Sequence, residues 1–384
     1  MSEKETIISK SLKEAMKLAV MSMHLQVQGH DVMYPYIAGA PGGGKTASMN
    51  AIAKNAGWGM LSTHWALKPI EENGGIPQFT NIKIAGKDVL GTIWSFPDIM
   101  KQLYELSEQF PVVLWLLDDI HLSGAQHGAL LYELLTERKL RDHKIPNNCA
   151  IALAGNHASN KAGAKTMLSA IMNRVALYPV YTDVAEWKTE YALPNEQHVG
   201  IVSFVSHSQY QQFFHEDEQI ETPWGSPRSW SRLGTKLQAM ESWMPDGIAD
   251  DVLLYEACAH VSREASSEFV QYYKVFNAYN IPEILKVAET YELPDDAVGR
   301  YAFAYALTSF YSGKSDRSLY TKSFAKLVFK YVKKYHDLGL MILKEIIELE
   351  KATKTKLYIP LAQELNSMEP GITTALIKEV SDVD

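Results

Sequence analysis

The chain has 384 residues, 46% of them apolar and 21% charged, with a formal net charge of −8. That is the balance of a soluble protein with two or three packed units, and it gives no support for an electrostatic envelope that holds nucleic acid non-specifically. Cys149 and Cys258 lie far apart with no CxxC pair, and no apolar run reaches 18 residues. Neither a disulfide framework, a zinc site nor a membrane span is therefore indicated.

The opening residues MSEKETIISK contain no apolar leader core, so a soluble, cytoplasmic protein is expected. Leu12, Ala15, Met16, Ala19 and Met23 recur at helical spacing, which predicts an amphipathic helix over roughly 8–28 that ends near Gly29. The β-prone run 33–38 leads into a glycine cluster and then into a helical stretch, giving strand, loop and helix in succession.

The loop itself, GAPGGGKT, consists of Gly39, Ala40, Pro41, Gly42, Gly43, Gly44, Lys45 and Thr46 and satisfies G-x-x-x-x-G-K-[ST]. Its glycines allow a tight backbone whose N–H groups converge on one point, where the dipole of the following helix also favours negative charge. The polyphosphate of ATP fits such a point. Lys45 would reach the β- and γ-phosphates, and the Thr46 hydroxyl would ligate Mg2+. A mere glycine-rich turn with an exposed lysine is the alternative, and the strand before and helix after the loop speak against it.

Two further runs, 112–117 and 150–154, are short and continuously apolar, as in strands buried on both faces. The first ends in Asp118 and Asp119, where a P-loop enzyme needs carboxylates beside the metal and the attacking water. Asp118 would hold Mg2+ through water, and Asp119 would be the base or water-orienting group. A pair of aspartates capping the next helix is the other reading. The second run ends in Asn156, whose amide can donate and accept and so hold a water in line with a γ-phosphate. Among the twelve histidines no metal-binding pattern occurs, and His121 and His157, close to these positions, are expected to pack or solvate.

Beyond about 194 the strand signals fade and long helical patterns run to about 351, with an irregular start to a helix at 222–232. Lys322, Lys326 and Lys330 recur every four residues, with Lys333 and Lys334 beyond, opposite Phe324, Leu327, Val328, Tyr331 and Tyr335. This reads first as a solvated helix face and second as a basic patch. The end, 368–384, reads as a loosely held tail.

Taken in order, these motifs resemble the MoxR branch of AAA+ ATPases over roughly 10–240. LLDDIHLSGAQHGALLYELLTERKL resembles that branch's acidic strand and next helix, and PNNCAIALAGNHAS its sensor 1 strand. AIMNRVALYPVYTDVAEW is similar to the segment with the arginine finger, and GSPRSWSRL to the lid helix with sensor 2. The segment 64–79, HWALKPIEENGGIPQF, resembles the helix-2 insertion, followed by Trp94, Phe96 and Pro97.

The resemblance implies an α/β P-loop NTPase core (parallel sheet flanked by helices) over 1–194. An all-α lid with sensor 2 follows over 195–300, and an α-helical C-terminal extension with a flexible tail over 301–384. It also implies that Asn156 senses the γ-phosphate and that Arg174 is the finger, acting in a ring, expected as a hexamer; Arg138 and Arg141 are its nearest competitors. Arg228 would act from the lid on its own or the adjacent nucleotide. The family usually carries Glu where Asp119 stands, and the shorter side chain reaches on the order of 1 Å less far, so slow hydrolysis is a possible consequence. The partner implied is a protein to be remodelled, often one with a von Willebrand factor A domain. A DNA-directed motor or loader and a nucleotide-gated scaffold are the alternatives.

Overall fold

The computed structural model describes residues 10–156, 169–214, 222–313 and 316–382. Two compact units divide the chain between Asp183 and Val184.

The first unit is built on six parallel strands: β1 (Lys10–Ser11), β2 (Tyr34–Ala38), β3 (Gly59–His64), β6 (Val113–Asp118), β9 (Cys149–Gly155) and β10 (Val175–Tyr181), in the lateral order β1-β10-β2-β9-β6-β3. Two antiparallel pairs lie apart from this sheet: β4 (Pro77–Ile84) with β5 (Lys87–Trp94), and β7 (Lys139–Leu140) with β8 (His143–Lys144). The helices of the unit are α1 (Leu12–Val27), α2 (Lys45–Ala56), α3 (Ile70–Gly74), α4 (Asp98–Gln109), α5 (Ala125–Glu137) and α6 (Ser169–Met172).

Alternation along each central strand serves two cores. Leu114, Leu116, Ala150, Ala152 and Ala154 meet α1 and α2 through Ala15, Met16, Ala19, Met23, Met49 and Ala53. Val113, Trp115, Leu117, Ile151 and Leu153 meet α4 and α5 through Ile99, Met100, Leu103, Leu130, Leu131 and Leu134. A sheet covered on both faces must be apolar at both parities, which is why these strands read as unbroken apolar runs. One polar residue joins the α1 seam: the buried Gln26 donates to Ile151 O (3.0 Å) and accepts from Ile151 N (2.8 Å), satisfying a strand segment by side chain instead of by a neighbouring strand.

Much of the segment between β3 and α4 is the β4–β5 hairpin, with the register Ile84↔Lys87 across a two-residue turn. Ala85 and Gly86 both have positive φ (51° and 79°), as a tight twisted hairpin turn requires. The alternating run NIKI-AG-KDVLGTIW carries that signal, which the sequence reading did not use.

The second unit is helical: α7 (Val184–Trp187), which continues as a π-helical turn through Ala192, then α8 (Val199–Ser206), α9 (Pro227–Trp243), α10 (Asp250–Cys258), α11 (Arg263–Asn277), α12 (Ile281–Lys286), α13 (Ala297–Gly313), α14 (Thr321–Lys334), α15 (His336–Thr353), α16 (Tyr358–Met368) and α17 (Ile372–Asp382). Two expectations are corrected here. Residues 372–382 are not a loose tail but α17, tied down because Ile372 and Leu376, one turn apart, enter the core formed with α14 and α15. Nor is the lysine face of α14 simply solvated. Lys326 pairs with Glu289, Lys330 donates to the carbonyls of Glu289 and Tyr291 (both 2.7 Å), and Lys333 pairs with Glu369. Three of the five lysines of this face are engaged in this way, while Lys322 and Lys334 are exposed.

Candidate active site

Strands of a parallel sheet end together, and here the ends of β2, β9, β6 and β3 deliver the polar residues to one rim. Ala38 is in register with Gly155, Leu117 with Leu153, and His64 with Asp118. The loop 39–44 leaves β2 there and enters α2 at Lys45. Gly39 N donates to Gly155 O (3.1 Å), and a Cβ on Gly39 would lie 2.6 Å from Val180 Cγ2, so the loop's first residue has to be glycine for β10 to pass this close. Gly42 and Gly44 have φ of 78° and 89°, which turns the backbone back on itself before the helix begins.

The Lys45 ammonium, buried, donates to the carbonyls of Gly39 (3.0 Å) and Ala40 (2.8 Å), and so spans the mouth of the loop. Thr46, one residue into α2, donates its hydroxyl to Asp118 Oδ2 at 2.5 Å. A threonine hydroxyl and a buried carboxylate in contact are hard oxygen donors of the kind a magnesium ion takes, and both stand beside the loop that carries Lys45.

Asp119 follows in the left-handed region (φ 54°, ψ 32°), a conformation that aspartate tolerates better than most residues. Its N–H donates to Asp118 Oδ1 (2.9 Å), while its own Oδ2 lies 2.9 Å from His64 Nδ1. Hydrogen bonds thus run without a break from Thr46 through Asp118 and Asp119 to His64. The histidine was not singled out from the sequence, where it only opens the segment 64–79.

Asn156 stands at the tip of β9, between the loop-bearing β2 and the acidic β6. Its N–H donates to His121 Nδ1 (3.1 Å), so His121 braces the tip of β9 against the turn after β6 instead of merely packing. Burial holds the His121 pKa below the ordinary histidine value; Asp119 and Asp118 oppose that shift and Lys45 reinforces it. The neutral ring that results can accept from Asn156. His157 lies outside the described residues.

Arg174 is at the opposite end of the sheet. It immediately precedes β10, whose Val175 is in register with Tyr34, five residues and roughly 16 Å of strand before the loop's first residue. Its guanidinium lies 4.1 Å over the Tyr132 ring and donates to Tyr132 Oη (2.8 Å), Thr136 Oγ1 (2.7 Å) and Ala170 O (2.7 Å). Of its competitors, Arg138 donates to Cys149 O (2.5 Å), and Arg141 stacks on Trp94 (4.5 Å) and faces Glu133 (3.8 Å). Arg228 belongs to the second unit, exposed in the first turn of α9, where Ser226 caps the helix and Pro227 opens it.

No family model matches the chain, and no curated protein matches it. Among solved structures, three of RuvB from Thermotoga maritima are similar to it. One mutant has 14% identity over 74% of this chain and 80% of that one, with a TM-score of 0.36. A structure described as a Holliday junction branch migration motor has 14% identity over 72% and 76%, with a TM-score of 0.35. A second mutant has 13% identity over 86% of each chain, with a TM-score of 0.37.

Proposed function

We propose that the first unit binds ATP with magnesium and hydrolyses it as an AAA+ module, and that copies of the chain assemble into a ring that remodels a protein partner. The observation that carries the nucleotide reading is the Thr46–Asp118 contact, because it joins a phosphate loop to the acidic end of a strand two places away in the sheet. A glycine-rich surface turn has no need of such a partner.

In this reading the loop N–H groups and Lys45 bind the triphosphate, Lys45 leaving its two loop carbonyls for the β- and γ-phosphates. Thr46 and Asp118 hold the magnesium ion, which when bound supplies charge neutralisation for the phosphates. Asp119 supplies the carboxylate for activating water, and Asn156, on the strand between, orients that water towards the γ-phosphate. Arg174 lies too far along the sheet for its own nucleotide, which supports service to a neighbour's. Arg228 is assigned to the lid face of the nucleotide, in its own subunit or the next.

A protein partner is preferred to DNA because the net charge is −8 and the most regular lysine face is engaged internally. A von Willebrand factor A domain is the partner class that the family resemblance suggests. The β4–β5 hairpin, with Phe79 77% and Leu90 72% exposed, is a surface for it. Among the described residues no helix is long and apolar enough to cross a membrane.

The test is nucleotide binding and turnover by the wild-type chain and by Lys45→Ala. The wild type should bind ATP and release phosphate in the presence of magnesium, and the variant should remain folded yet lose affinity, because it removes a point charge from the phosphates together with bonds to the loop carbonyls of Gly39 and Ala40, but no apolar core contact. Equal affinity in the two proteins would remove the loop from the site.

A further inference from the structure

We propose that His64, oriented by Asp119, is the general base that takes the proton from the water attacking the γ-phosphate. The inference rests on the ATP-hydrolysis reading above and names the group that completes it.

β3 pairs with β6 so that His64 stands in register with Asp118, which brings an imidazole to the same rim as the magnesium and water residues. His64 Nδ1 is 2.9 Å from Asp119 Oδ2. An ionised carboxylate only accepts hydrogen bonds, so the shared proton belongs to Nδ1, and in the neutral ring Nε2 is then the nitrogen that carries the free lone pair. The ring is the outer member of the pair: the His64 side chain is 60% exposed and that of Asp119 34%. A carboxylate behind an imidazole fixes its tautomer and stabilises the imidazolium when the outer nitrogen takes up a proton.

This geometry also gives the aspartate a role that suits its length. Asp119 carries a side chain one methylene short of glutamate, and its left-handed backbone places the carboxylate against His64. The imidazole then extends the reach that the carboxylate lacks.

In the step itself, the water oxygen bonds to the γ-phosphorus while one of its protons passes to His64 Nε2. The bond from the γ-phosphorus to the bridging oxygen breaks, and its electron pair stays on the β-phosphate of the departing ADP. The imidazolium, held by Asp119, then returns the proton to bulk water. The products are ADP, phosphate and one proton.

His64→Ala and His64→Gln separate this role from simple restraint of Asp119. Glutamine can still donate to Asp119 Oδ2 but cannot act as a base. Both variants should bind ATP with wild-type affinity and lose about 10²-fold or more in turnover. Added imidazole should restore part of the turnover of His64→Ala, saturating with concentration, and should leave the wild type unchanged. If His64 only restrains Asp119, His64→Gln will turn over normally, His64→Ala will be as fast or faster, and imidazole will do nothing; any of these results overturns the assignment. The outcome is distinct from failure of the broader reading, in which the wild-type chain itself binds no ATP or never releases phosphate, and that result overturns both.

Discussion

The guanidinium of Arg174 lies 4.1 Å over the ring of Tyr132, while its Nη2 donates to that tyrosine's hydroxyl at 2.8 Å. With Thr136 and the Ala170 carbonyl as further acceptors, the arginine is held at the edge where the strands begin, far from the loop where they end. Held there, it lies at the end of the sheet away from the loop 39–44.

Arg174→Ala should therefore leave ATP affinity nearly unchanged while turnover falls by about 10³-fold or more, the range for loss of an arginine finger. Mixing Arg174→Ala with Asp119→Asn subunits should restore partial activity, because some interfaces then join an intact Asp119 to an intact neighbouring Arg174. If subunits exchange and the mixture stays inactive, Arg138 and Arg141 become the residues to test. Light scattering should show that ATP with magnesium promotes assembly, since each bound nucleotide becomes part of an interface.

Asp119→Asn keeps the shape of the side chain but removes its charge, and with it the partner that would stabilise a protonated His64. Nucleotide titration should give wild-type affinity and phosphate release a loss of about 10²-fold or more. Undiminished phosphate release would take Asp119 out of the chemistry altogether.

His121 should titrate below the ordinary histidine range, because burial penalises its charged form and its Nδ1 accepts from Asn156 N. A depressed folded-state pKa means that this contribution to stability is present above the unfolded value and is lost as the pH falls through the folded one. Ring signals followed by NMR across a pH titration check this directly; a midpoint at or above that of free histidine would contradict the neutral ring.

In the second unit Lys188 pairs with Glu345 and, at 2.9 Å, with Glu348, beside a cavity of about 210 Å³ that Tyr301 and Tyr305 also line. Burial opposes the lysine's charge, but the two carboxylates outweigh it and raise its pKa, so its stabilising effect is lost only in alkaline solution as the pH passes the folded value. Lys188→Met leaves both glutamates in place without a cation and should cost about 3–5 kcal/mol of stability. Burial already pushes the Glu345 pKa up. The deficit of the variant should therefore shrink as the pH falls and that carboxylate takes up a proton. Thermal melts of both proteins in acidic and mildly alkaline buffer measure it; a deficit that grows on acidification would reverse the assignment.

What could be read from the sequence is what neighbouring residues impose on one another. Gly39, Gly42, Gly44, Lys45 and Thr46 have the spacing expected of a phosphate loop, and the unbroken apolar runs 112–117 and 150–154 mark strands covered on both faces. The helix carrying Ala15, Ala19 and Met23 was legible from its period for the same reason. The pairing of Gln26 with Ile151 was not, because it joins residues 125 positions apart and a lone glutamine on an apolar helix face has no local signature.

The lateral order of the strands was decided by the tertiary structure alone. Several equally apolar runs can pair in many orders, since backbone hydrogen bonds between strands are indifferent to which strand supplies them. Only the fold puts β9 between β2 and β6, so that Asn156 stands between the loop and Asp118, and puts β3 outside β6, so that His64 meets Asp119. Arg174 was singled out only through the family resemblance of its segment, and its distance from the loop follows from β10 running parallel to β2. Residue types and their spacing set which chemistry is present, whereas long-range strand pairing sets which of those residues can act together.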